Sequence, residues 1–184
     1  MTHRRRRATA RGEEPLGPER AMEVGARFLA ARPRTRWEVE RRLRRAGADD
    51  AVIAATVERL RELGYVDDAA FATWWAEQRD RHAPRGRRMV EAELRQRGID
   101  REVIEGMRQV GEPERPPEDA GLPVTDAERA AAALAAHLRG RPLPSDAKAI
   151  QRIGMFLVRR GFDPETARQV IRARAADDPT DQPA

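Results

Sequence analysis

The chain has 184 residues, of which 36% are charged and 4% aromatic, and it has no cysteine. That excludes disulfides and thiolate metal sites, and it leaves a core of Leu, Val, Ile and Ala that suits helices better than a sheet. No apolar run approaches the ~20 residues of a membrane span, and the first arginines lead into no apolar segment, so no secretory signal is read and a soluble cytoplasmic protein is expected. The net charge of +5 is unevenly spread: +5 in residues 1–12, 20 basic against 19 acidic residues in 13–110, −4 in 111–126, +6 in 127–176 and −3 in 177–184.

Residues 1–18 combine Arg4, Arg5, Arg6, Arg7 and Arg11 with glycine and proline breakers, and read as a disordered basic leader. A first helix is predicted from about Glu19, with Met22, Gly25, Ala26 and Leu29 inward. Arg32-Pro33-Arg34 ends it. Thr35 and Glu38 have capping-box spacing, with the threonine oxygen accepting the Glu38 N–H while the glutamate reaches back. They open a helix running to Ala46. The next helix begins near Asp49, buries Ile53, Thr56, Val57 and Leu60, and ends at Gly64. Asp67 opens a helix with Phe71, Trp74 and Trp75 on one face, and His82-Ala83-Pro84 closes it. Two further helices carry Val90 with Leu94, and Val103, Ile104 with Met107. Residues 111–124 hold four prolines and several acids and read as a linker. Thr125 and Glu128 form a second capping box ahead of a helix with Ala127, Ala131, Leu134 and Leu138 inward. After a turn at 140–145 comes a helix with Ile150, Ile153 and Leu157. Asp163-Pro164 supplies a cap and an N1 proline to the last helix, whose inward residues are Ala167, Val170 and Ile171.

One pattern occurs three times in this order: Val39-x-x-x-Leu43 with Gly47 and Asp49, Val90-x-x-x-Leu94 with Gly98 and Asp100, and Ile153-x-x-x-Leu157 with Gly161 and Asp163. Apolar residues four apart stack on one helix face. The glycine suits a left-handed helix end, and the aspartate suits the next cap. The fold expected is all-α: tandem three-helix repeats forming an elongated, curved array. The expected units are 19–66, 67–110 and 125–175, with 176–184 a disordered tail. Such an array suits a polymer or filament better than a small substrate.

Catalytic chemistry is absent from the sequence. His3, His82 and His137 have no metal-ligand spacing, and no phosphate-binding glycine loop occurs. Asp67 and Asp68 point about 100° apart on a helix, so a cap plus a surface acid is a better reading than a metal pair. No cofactor or metal is expected, and no enzyme. Phe71, Trp74 and Trp75 could stack bases, but helical spacing favours core. Arginines recur at matching positions (44, 45, 95, 97, 159, 160), either as charges complementing the helix dipole or as a shared basic surface.

Gly64-Tyr65-Val66-Asp67-Asp68-x-x-Phe71-Ala72, the tryptophans that follow and Arg79 resemble the signature of the RecX regulatory proteins. Arg32-Pro33-Arg34-Thr35-x-x-Glu38-Val39, Gly86-x-x-x-Val90-x-x-x-Leu94-x-x-x-Gly98-Ile99 and Phe156-Leu157-x-x-Arg160-Gly161-Phe162 resemble that family's other segments, in correct order over about residues 20–175. The resemblance implies tandem three-helix units that bind in the groove of the RecA recombinase filament on single-stranded DNA. It also implies inhibition of strand exchange and ATP hydrolysis, within homologous recombination and the SOS response. The arginine leader and the long 111–124 insertion depart from the family pattern. The alternative is a direct nucleic-acid-binding helical repeat protein, against which the 19 acids of residues 13–110 argue. Weak direct DNA binding, no membrane contact and a monomeric state are expected beside the filament partner. Charge, not a matched motif, selects Arg152, Arg159, Arg160, Arg168 and Arg172 as the partner-binding residues.

Overall fold

A computed structural model describes residues 15–109 and 125–177, and every regular element among them is an α-helix. The leader before residue 15, the 111–124 insertion and the end of the tail lie outside the described residues. The chain divides into two compact units after Asp67.

The first unit holds α1 (Pro18–Ala30), α2 (Arg36–Arg45) and α3 (Asp50–Glu62). Its core is Leu16, Ala21, Val39, Leu43, Ala48, Ile53, Val57, Leu60 and Val66. The Thr35–Glu38 capping box is complete, and Asp49 accepts the Val52 N–H at 2.8 Å to cap α3. Two expectations change here. Leu16, assigned to the leader, is buried, and its N–H donates to the Gly47 carbonyl at 3.2 Å. Ala26 is exposed, and α1 instead turns Ala21 and Gly25 inward. A Cβ on Gly25 would stand 2.8 Å from Leu60 Cδ1, so glycine lets α1 and α3 approach closely without displacing that methyl.

The second unit holds two three-helix groups: α4 (Asp68–His82), α5 (Arg87–Gln96) and α6 (Arg101–Gln109), then α7 (Asp126–Leu138), α8 (Ala147–Arg159) and α9 (Pro164–Ala176). One core gathers Phe71, Ala72, Val90, Leu94, Ile99 and Ile104. The other gathers Ala130, Ala133, Leu134, Leu138, Ile153, Leu157, Phe162, Ala167, Val170 and Ile171. Leu43, Leu94 and Leu157 are each fully buried, as their equivalent places in the pattern require; burial of such a side chain contributes about 1.5–3 kcal/mol. The three pattern glycines have positive φ: 91° at Gly47, 77° at Gly98 and 91° at Gly161. The Thr125–Glu128 box and the Asp163 cap with Pro164 at N1 form as read. Ala131, however, is exposed and Ala130 and Ala133 face the core. Four consecutive alanines give a hydrophobic pattern no contrast from which to choose a face.

Candidate partner-binding surface

The second unit has two kinds of polar surface: a seam that joins the two three-helix groups and a basic helix face that meets nothing among the described residues. The seam starts at Gly86, the N-cap of α5, which has no side chain to satisfy the helix's first N–H groups. The Asp126 carboxylate, at the start of α7, takes the Arg87 N–H at 3.2 Å and so caps α5 from the other group. The Gly86 N–H donates to the Arg160 carbonyl at 3.0 Å. A Cβ on Gly86 would stand 2.2 Å from the Gly161 carbonyl oxygen, and one on Gly161 would stand 2.5 Å from Met89 Cβ, so both positions need glycine for backbone to reach backbone.

Beside this contact, Arg129 of α7 grips Asp80 of α4 with both ends of its fork, Nε to Oδ1 at 2.7 Å and Nη2 to Oδ2 at 3.1 Å. The Asp80 side chain is only 2% exposed, which makes this a buried bidentate pair. Burial pulls the Arg129 pKa down, but hydrogen bonds and charges from Asp80 and Asp126 outweigh it and hold the guanidinium above its usual value.

Further along α5, Glu93 accepts from Trp75 Nε1 and Arg79 Nε, each at 2.8 Å, and Arg85 contacts its other oxygen. The Arg79 and Arg97 guanidiniums lie 4.2 and 3.9 Å from the Trp75 ring centre. Phe71, Trp74 and Trp75 form a ring cluster with centroids 5.5–6.0 Å apart. Phe71 is buried and both tryptophans are half-buried against the core, so these rings are part of the packing, with the Trp75 N–H tied to Glu93. Burial lowers the Arg79 pKa, and burial together with the charges of Arg79 and Arg160 lowers that of Arg85.

The five arginines selected by charge fall into three settings. Arg160 belongs to the seam: it is half-buried, its Nη1 donates to the Pro84 carbonyl at 3.1 Å, and its guanidinium lies 4.9 Å from the Phe156 ring centre. Adjacent residues on a helix point about 100° apart, so Arg159 faces solvent while Arg160 turns to Pro84. Arg168 and Arg172, four apart on α9, are exposed, and Arg168 pairs with Glu165 at 2.8 Å. Arg152 and Arg159, seven apart on α8, are exposed on one face and make no ion pair with another described residue. His82 and His137 are both exposed, and His137 stacks on Phe156 with centroids 4.2 Å apart.

The seam roles of Asp80, Gly86, Asp126 and Arg129 were not legible in the sequence, because the partners lie 39 to 76 residues apart. One signal was there. Asp80 is an acid in the last turn of a helix, where the dipole disfavours it. Gly86 has no positive φ among its backbone duties, so its lack of a side chain serves close approach instead. Among the described residues, no group of three or more His, Asp or Glu is placed to hold a metal ion, and no helix is long and apolar enough to cross a membrane.

Three family models match in succession: the first three-helix domain of RecX at residues 21–60, the second at 67–106 and the third at 126–171. The chain is 37% identical over 174 residues to the regulatory protein RecX of Mycolicibacterium vanbaalenii, covering 93% of this chain and 88% of that one. It is 35% identical over 165 residues to the regulatory protein RecX of Mycobacterium avium, covering 89% of each. Its fold is similar to the crystal structure of RecX from Lactobacillus salivarius, with a TM-score of 0.69 at 17% identity over 86% of this chain and 97% of that one. Three ordered domains, the helix architecture and this identity across most of the chain together make it a member of the RecX family of regulatory proteins.

Proposed function

We propose that this chain is a non-catalytic, monomeric, cytoplasmic regulator that binds in the groove of the RecA filament on single-stranded DNA. There it lowers RecA's ATP hydrolysis, strand exchange and SOS coprotease activity. The observation that carries this reading is the succession of all three family domains, in order, between residues 21 and 171. A tandem array suits a repetitive partner physically, since a second contact to a neighbouring subunit acts at high effective concentration once the first is made. The third domain meets the partner through Arg152, Arg159, Arg168 and Arg172, and Arg160 positions that domain through Pro84. The exposure of the first four favours this division, as does the seam geometry of the fifth.

Titrating the full chain against RecA-coated single-stranded DNA and against the bare strand, over a range of salt, tests the reading. Tighter binding to the filament is expected. Equal or tighter binding to bare DNA, with a log–log salt slope of about −0.7 per neutralised phosphate, would instead identify a direct nucleic-acid binder.

A further inference from the structure

Helix α8 differs from every other described helix in one respect: it contains no acid. Its sequence places Lys148, Arg152, Met155 and Arg159 at i, i+4, i+7 and i+11, so at about 100° per residue they form one stripe roughly 16 Å long, on the side opposite Ile153 and Leu157. All four are exposed, Met155 to 50%. On other helices several exposed arginines are matched to a neighbouring acid on the same helix: Arg36 with Glu40, Arg61 with Glu58, Arg95 with Glu91, Arg101 with Glu105. Among the described residues none of the three α8 cations has such a partner. Lys148 and Arg152 are like charges one turn apart, which is unfavourable in a free helix. Lys148 also stands in the first turn, where the helix dipole disfavours a cation. It is the only lysine of the chain. The stripe thus gathers three cations and an exposed methionine on one face of an acid-free helix, against the dipole and against like-charge spacing, which is the mark of a surface made for something other than folding.

We infer that this stripe is a protein-docking face, whose occupant is an acidic protein surface with a small apolar depression that receives Met155. The cations alone would fit carboxylates or phosphates equally. The methionine decides between them: a flexible, polarizable apolar side chain between two cations of the stripe gains from burial in a protein pocket and gains nothing against a phosphate backbone. The inference deepens the functional reading above and rests on it. On that reading α8 touches the protein subunits of the filament and not its DNA.

The test is binding of the full chain, as wild type, Met155→Ala and Arg152→Gln/Arg159→Gln, to the RecA filament and to bare single-stranded DNA. The side chains are exposed, so unchanged thermal melts are expected and are measured alongside. Met155→Ala should weaken filament binding about tenfold, leaving the affinity for bare DNA and its salt dependence unaltered; the double variant should weaken filament binding further. If Met155→Ala binds the filament like wild type, while the double variant loses affinity for bare DNA and flattens its salt slope, the stripe is a phosphate contact and the inference is overturned. A wild-type chain that does not bind the filament at all would overturn the functional reading, and this assignment with it.

Discussion

The middle helices of the second and third domains, α5 and α8, carry the same core pattern beneath opposite surfaces. Val90 and Leu94 of α5, like Ile153 and Leu157 of α8, are buried and followed by a glycine of positive φ. Above that shared core, α5 uses two acids to hold cations: Glu91 pairs with Arg95 and Glu93 with Arg79 and Arg85. Helix α8 holds its cations with none. The comparison separates two demands on one motif. Folding fixes which positions are apolar, whereas the charge on the outer face is free to vary and so records what each domain meets.

A large expected effect concerns the seam. Asp80→Ala takes the bidentate carboxylate from the buried Arg129 and leaves it only Asp126 at 3.4 Å, so it should destabilise the second unit by about 3 kcal/mol, the low end for a broken buried pair, in urea unfolding. For the same reason a chain cut after residue 110 should be less stable through α4–α6 than the intact protein, since it strips Asp80 of Arg129 and Arg87 of Asp126. If the second domain keeps its full stability after that cut, the two groups are independent and the seam is incidental.

The shared core is tested next. Leu94→Ala and Leu157→Ala should each cost roughly 2–5 kcal/mol. Similar values would bear out the equivalence of α5 and α8, and a negligible loss at either would break it. Gly161→Ala should cost more than Gly47→Ala. Both have a φ of 91°, but a Cβ at Gly47 meets open space while one at Gly161 meets Met89 backbone nitrogen at 2.8 Å. The left-handed conformation alone costs about 1–2 kcal/mol, and overpacking adds about 1–3.

The smallest stability effects belong to the outer faces. Arg101→Gln removes the exposed i,i+4 pair with Glu105 and should cost under about 1 kcal/mol, less at high salt. Arg152→Gln should be neutral within about 0.5 kcal/mol, or slightly stabilising at low salt, because it relieves repulsion without breaking a pair. A clear loss on Arg152→Gln would show that the α8 cations serve the fold.

Much of this was legible in the chain. Caps and glycines act through neighbours two to four residues away, so Thr35, Asp49, Thr125 and Asp163 announced their helices, and Gly47, Gly98 and Gly161 their ends. The inward faces of α3 and α9 were legible for a related reason: their branched apolar residues contrast with the charges between them. Where contrast fails, the face was misread, as at Ala26 and Ala131. The seam was illegible because it joins residues far apart in sequence, and nothing local tells Arg159 from Arg160. Charge located the basic third domain but could not tell which arginines were already committed to the fold.

The central claim, that this chain regulates RecA through a tandem array, is tested most directly by the rate of RecA ATP hydrolysis on single-stranded DNA as the intact chain is added. The account predicts a rate that falls with added protein and is restored in part when Met155→Ala replaces the wild type. An ATPase rate unaffected by a saturating excess of the intact chain would contradict it.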